Sequence, residues 1–194
     1  MKSLFLALIS LFAGSALARA EIPSGNVTVV PSDLLEGLVF CPSVSAPSPA
    51  SVNTITVRND ANMPIAGAEV ELLPFGATAE NLCSGTVLTG TTNAAGQVVL
   101  TLAGGGLCVD DIYYSAAIRV WGFTVRAYRN IKSLDFDGAS GNLRVDLQDL
   151  TQFSAEFLDN VPNVCHDYDN NGNTGLEDVI IFGPAFTRAS SCSP

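Results

Sequence analysis

The chain has 194 residues, with 9 Lys and Arg against 19 Asp and Glu, one His and five Cys, and a formal charge of −10. That balance is wrong for neutralising phosphates, so it argues against nucleic acid and anionic membrane surfaces as partners, and a single His leaves no material for a His-based triad or a His-rich zinc site. With 47% apolar residues, 17 Gly and 10 Pro, the chain is a folding one built of short elements and many turns.

The first twenty residues form a targeting segment. Lys2 gives a positive start, Leu4 to Ala13 is apolar but short for a bilayer, and small-x-small sites follow at Ala16-Leu17-Ala18 and Ala18-Arg19-Ala20. This pattern predicts a secretory signal in 1–20, cut before Glu21, and a secreted, extracellular or cell-surface protein with no later membrane-inserting stretch. From 21 to 130 the signals are for strands: Val27 to Val30, Gly37 to Phe40, Thr54 to Val57, Ala68 to Leu73, Val98 to Leu102, Ala117 to Val120 and Phe123 to Ala127. Polar and apolar residues alternate in Thr54-Ile55-Thr56-Val57-Arg58 and in Glu69-Val70-Glu71-Leu72, which predicts sheets with one wet face. Seven short strands of this kind predict a β-sandwich. Pro47 and Pro49, among Ser and Ala, predict a surface loop before the third strand.

Two stretches, Met63-Pro64-Ile65-Ala66-Gly67-Ala68-Glu69-Val70-Glu71-Leu72 and Thr91-Thr92-Asn93-Ala94-Ala95-Gly96-Gln97-Val98, resemble the paired turn-and-strand signatures of bacterial immunoglobulin-like or carboxypeptidase-regulatory-like β-sandwich repeats. The resemblance covers about 52–103. It implies an immunoglobulin-like sandwich in an extracellular setting and leaves function open, because such modules serve many roles.

Composition changes at Asn130 to Ser133, which sets a boundary between the sandwich and a second unit in 134–194. There, Asp167-Tyr168-Asp169-Asn170-Asn171-Gly172-Asn173-Thr174-Gly175-Leu176-Glu177-Asp178 has oxygen side chains at loop positions 1, 3, 5 and 12 and Gly at position 6. A hard cation takes six to eight oxygens, and alternate residues of a tightly turned loop supply them. The candidate ligands are Asp167, Asp169, Asn171, Asn173 through its carbonyl, and Asp178, with Ca2+ as the cofactor. Val179, Ile180, Phe182 and Phe186 follow at helical spacing, and Gly183-Pro184 predicts an early stop or kink.

The unit is repeated. Asn142, Leu147, Asp149, Phe153 and Phe157 precede Asn171, Leu176, Asp178, Phe182 and Phe186 by 29 residues, whereas Asp135-Phe136-Asp137 precedes Asp167-Tyr168-Asp169 by 32. The first loop therefore carries three extra residues within Gly138 to Gly141. This duplicated arrangement resembles the type I dockerin, a pair of calcium-binding loop-helix repeats of EF-hand type. The resemblance implies Asp135, Asp137, Asn142 and Asp149 as ligands in the first loop. It also implies that Leu147, Gln148, Leu176 and Glu177 help select a protein partner, in the family a cohesin β-sandwich. The first loop departs from the pattern in its length and in Leu143, which stands where Gly belongs. A register ending at Asp146 is the alternative, and it puts Ala139 at a ligand position. The small hydroxyl pair familiar in the family is absent, so partner identity is not inherited.

Four cysteines fit two disulfides of an exported chain: Cys83 with Cys108 across the sandwich, and Cys165 with Cys192 around the second loop. Cys41 is left over, to exchange with Cys83 or Cys108, stay free, or bridge two chains into a homo-oligomer. Cys165-His166 beside Asp167 lacks the second pair of soft ligands that zinc needs. Glu69 and Glu71 read as solvent-facing strand residues and Asp110-Asp111 as a turn rather than acid pairs. Trp121, Tyr113, Tyr114, Phe123 and Tyr128 read as core and edge packing before a sugar-stacking surface. Asn26-Val27-Thr28 is a glycosylation sequon where the host has that machinery.

The whole predicts a mainly β protein with a small α C-terminal part and no catalytic role. Its calcium module either docks a protein partner, cohesin-like or intramolecular, or only stabilises a structural cell-surface, matrix or adhesin subunit.

Overall fold

A computed structural model describes residues 28–30, 37–110, 114–138, 140–159 and 165–194. The targeting segment, the sequon asparagine, Asp111 and Tyr113 lie outside the described residues. The strands are β1 (Thr28–Val30), β2 (Gly37–Phe40), β3 (Val52–Thr56), β4 (Glu69–Pro74), β5 (Thr89–Thr91), β6 (Gln97–Thr101), β7 (Cys108–Asp110), β8 (Ala116–Val120), β9 (Phe123–Tyr128) and β10 (Asn130–Ser133), followed by helices α1 (Leu147–Asp159) and α2 (Leu176–Thr187). The architecture is thus mainly β with two C-terminal helices. The seven strands read from the sequence are all present within a few residues. The three others, β5, β7 and β10, are short and carry no clean alternation, so pairing with neighbours decides them.

The strands form three sheets in the orders β1-β3-β6, β2-β10-β7 and β5-β4-β8-β9. Pairing is antiparallel except for β10 beside β2, where Asn130 stands opposite Gly37 and Ser133 opposite Phe40. Alternation works as expected in β4, which turns Val70 and Leu72 inward and leaves Glu69 and Glu71 on the outer face. Inward residues of the three sheets, among them Leu38, Phe40, Ile55, Leu72, Leu100, Ile118 and Ile131, share one apolar core in a sandwich-like arrangement.

A second core joins the β part to the helices. It contains Val39, Cys41, Leu134, Val145, Phe153, Tyr168, Phe182 and Ala185. Strand β2 serves both cores, with Leu38 and Phe40 facing the first and Val39 the second, and this is why Gly37-Leu38-Val39-Phe40 is an unbroken run buried throughout. The composition change at Asn130–Ser133 is therefore not a linker. It is β10, hydrogen-bonded between β2 and β7.

Three expectations are corrected, and of the alternatives left open for Cys41 the structure has the free thiol. Cys83 pairs with Cys192 and Cys108 with Cys165, so both disulfides join the β part to the C-terminal part. The C-terminal tail folds back along the sheets, with Ser84 N–H donating to Ser193 O at 2.8 Å, and nearness in space overrides nearness in sequence. Cys41 is fully buried and unpaired, its thiol pushed up by burial, so it offers no accessible sulfur for bridging two chains. The segment Ser43–Asn53 is a surface loop only in part: Val44–Ala46 and Pro49 are exposed, but Ser48, Ser51 and Asn53 are buried, and Ser51 Oγ donates to Ser48 O at 2.9 Å. Helix α2 continues through Pro184 to Thr187, because Phe182 and Ala185 are buried in the second core on either side of it.

Candidate metal centre

The second acidic loop, between Cys165 and α2, wraps its carboxylates with backbone N–H groups. Asp167 accepts from Asn171 N at 3.1 Å and from Gly172 N at 3.0 Å. Asp178, in the first turn of α2, accepts from Tyr168 N at 2.5 Å, Asp169 N at 3.1 Å and Gly175 N at 2.8 Å. Asp169 accepts from Asn171 N and Asn171 Nδ2, and Asn171 Oδ1 accepts from Asn173 N. Gly172 has φ of +96°, the left-handed turn the loop needs at its sixth position.

Carboxylate oxygens of Asp167, Asp169 and Asp178 all lie within 4.8 Å of one another. A calcium ion bound at about 2.3–2.6 Å spreads its oxygens no more than about 5 Å apart, so the spacing and the all-oxygen donor set fit a hard cation. Burial pushes the Asp167 and Asp178 carboxyls upward, against the lowering effect of Lys132 on the first and of backbone N–H donors on both. Asn173 is exposed, and Asn171 lies at the loop surface.

The first loop repeats this pattern of bonds. Asp135 accepts from Asn142 N at 3.1 Å and from Leu143 N at 2.7 Å, as Asp167 does from Asn171 and Gly172. Asp149 accepts from Asp146 N at 2.8 Å, as Asp178 does from Gly175. Leu143 adopts φ of +59°, copying Gly172 with a side chain that should resist it. Asp135 and Asp149 are buried, which pushes their carboxyls up to about 7 and about 6. Asp149 Oδ1 is buried without a hydrogen-bond partner, an orphaned acceptor inside the loop. Asp137 is partly exposed and accepts from Ser140 N at 3.3 Å. Among the described residues, only the second loop brings three carboxylates within 4.8 Å, so Asp137 does not close on Asp135 and Asp149 as Asp169 does on its partners.

Two features around the loops carry no signal in the sequence. Lys132 on β10 is buried, and its Nζ donates to Asp167 O and, at 2.6 Å, to Asn170 Oδ1. Gly105, on the approach to β7, passes so close to the first loop that a Cβ there would overlap Asp135 Oδ2. Both come from the β part. His166 is buried in an aromatic box of Phe136, Phe153 and Tyr168, with Nδ1 2.6 Å from Glu156 Oε1. Since Cys165 is in a disulfide, the Cys165-His166 pair has no thiolate to give a metal.

The helices that follow the loops stack Phe153 on Phe182 at 5.0 Å between ring centroids. Around that pair, Leu150, Phe157, Val179 and Phe186 line an apolar cleft of about 320 Å³. At the starts of α1 and α2, Leu147 and Leu176 are 70% and 68% exposed, and Gln148 and Glu177 are exposed beside them. No helix among the described residues is long and apolar enough to cross a membrane. No protein-family model matches the chain, and no curated protein or solved structure matches it.

Proposed function

We propose that this is a secreted, non-catalytic calcium-binding protein in which the paired loop-helix units of 134–194, dockerin-like in plan, dock a protein partner while an immunoglobulin-like sandwich displays them. One observation carries the reading: three carboxylates converge within 4.8 Å in a loop whose N–H groups already hold them. Three negative groups so placed repel one another unless a cation joins them, and oxygen donors select a hard one. Repetition of the same bonds around Asp135 and Asp149 supports a duplicated origin. Two disulfides support an oxidising, extracellular setting. Leu147 and Leu176 are the exposed first residues of α1 and α2, which suits a partner that reads both helices.

A second reading is favoured by the disulfides and by Lys132. The C-terminal units are stapled to the sheets and share a core with β2, which suits a structural surface or matrix subunit in which calcium only rigidifies the fold. Calorimetric titration with calcium, and melts in calcium and chelator on wild type and Asp178→Ala, test what both readings share. Two sites falling to one in the variant support the paired loops; no binding and an unchanged melt overturn both readings. A calcium-dependent complex with a cohesin-type sandwich then selects docking. Calcium-stabilised protein that forms no such complex selects the structural role.

A further inference from the structure

The outer face of the β5-β4-β8-β9 sheet holds a site separate from the acidic loops. At the β8–β9 turn Trp121 has φ of +50° and Gly122 +80°, a two-residue hairpin of the type that favours Asn-Gly. A bulky ring in the left-handed region is strained, and strain of this kind persists where the surroundings impose it. Here Trp121 N–H donates to Glu69 O at 3.0 Å, which holds the turn against β4. Trp121 stays 37% exposed.

Beside it lies a depression of about 390 Å³, within the usual range of small-molecule sites. Glu69, Glu71, Thr89, Thr91 and Arg119 line it with Trp121. The register explains the cluster: Glu69 stands opposite Thr91, and Glu71 opposite both Thr89 and Arg119, so outward residues of three neighbouring strands meet. The Nε of Arg119 is buried and meets no hydrogen-bond acceptor among the described residues. Arg119 as a whole is half-buried, and its guanidinium carries further N–H donors besides Nε.

We propose that this face binds a neutral oligosaccharide, with a sugar ring stacked on Trp121 and its hydroxyls held by Glu69, Glu71 and Arg119. The chemistry selects that class. Carboxylates only accept hydrogen bonds and a guanidinium only donates them, whereas a hydroxyl does both, so neighbouring hydroxyls of one sugar serve all three groups. The C–H face of a sugar ring is apolar and suits an indole. Two Glu against one Arg disfavour an anionic chain. The site is independent of calcium.

Trp121 is the only tryptophan in the chain, so its fluorescence reports the site without background. The full disulfide-bonded protein is titrated to about 5 mM with the hexasaccharides of cellulose, xylan, mannan, chitin and starch, and with hexagalacturonate as the anionic control, in calcium and in chelator. The expected result is a saturable change with at least one neutral hexasaccharide and none with the control, retained in Asp178→Ala. Glu71→Gln and Arg119→Gln weaken it at least about tenfold. Affinity electrophoresis in gels holding the responding polysaccharide reads Trp121→Ala, which loses retardation while its melt stays close to wild type. No response to any neutral sugar, a preference for hexagalacturonate, or undiminished retardation of Trp121→Ala each overturns the proposal. Loss of calcium binding alone leaves it standing.

Discussion

Lys132 Nζ lies 4.0 Å from Asp167 Oδ2, a buried ion pair between the middle strand of one sheet and the first residue of the second acidic loop. The ammonium is also bonded to Asp167 O and Asn170 Oδ1, and Asn170 Oδ1 accepts from Asn130 Nδ2 at 2.7 Å as well. The loop is thus anchored to β10, and Lys132 partly neutralises its negative charge.

Replacing Lys132 with Met separates those two effects. Calcium affinity of the second loop should rise by about tenfold or more, because a positive charge next to the ion is removed. In chelator the variant should be less stable by about 2–4 kcal/mol, since Asp167 loses its counter-charge. Calorimetry and chemical denaturation check the opposite signs.

The pH dependence of the metal-free protein follows from Asp135 and Asp149, whose carboxyls burial raises to about 7 and about 6. A carboxyl with a folded pKa above its unfolded value binds protons more tightly in the folded state. Their contribution therefore favours folding below about pH 4 and becomes unfavourable as pH rises towards 7. In chelator the melting temperature should fall over that range, and in saturating calcium the fall should be reduced. A melt series that rises from pH 5 to 7 in chelator would contradict this account.

Gly105→Ala places a methyl group where Asp135 Oδ2 sits, and Asp135 has little room to yield because Asn142 N and Leu143 N hold it. The expected cost is about 1–3 kcal/mol. Calcium binding by the first loop should weaken while Asp167, Asp169 and Asp178 still bind, which site-resolved titration beside Asp178→Ala reveals.

The two disulfides close separations of 109 and 57 residues between the sheets and the C-terminal part. Removing one with Cys108→Ser and Cys165→Ser should cost about 2–5 kcal/mol through the freed unfolded chain. Peptide mapping of the unreduced protein should recover Cys83 linked to Cys192. Recovery of Cys83 linked to Cys108 would contradict the fold.

Local chemistry made part of this protein legible from residues alone. Alternation in Glu69-Val70-Glu71-Leu72 marks a half-buried strand because the strand period is two, and the Asp-x-Asp-x-Asn-Gly run marks a tight oxygen-lined loop because its turn geometry is local. The duplication around Asn142 and Asn171 was readable for the same reason. What only the tertiary structure decided depends on residues distant along the chain. Burial of β2 on both faces, the crossed disulfides, Lys132 beneath Asp167 and the meeting of Trp121 with Glu71 and Arg119 are products of how sheets pair and how the C-terminus folds back. No local spacing encodes those meetings, because packing of the two cores brings the residues together.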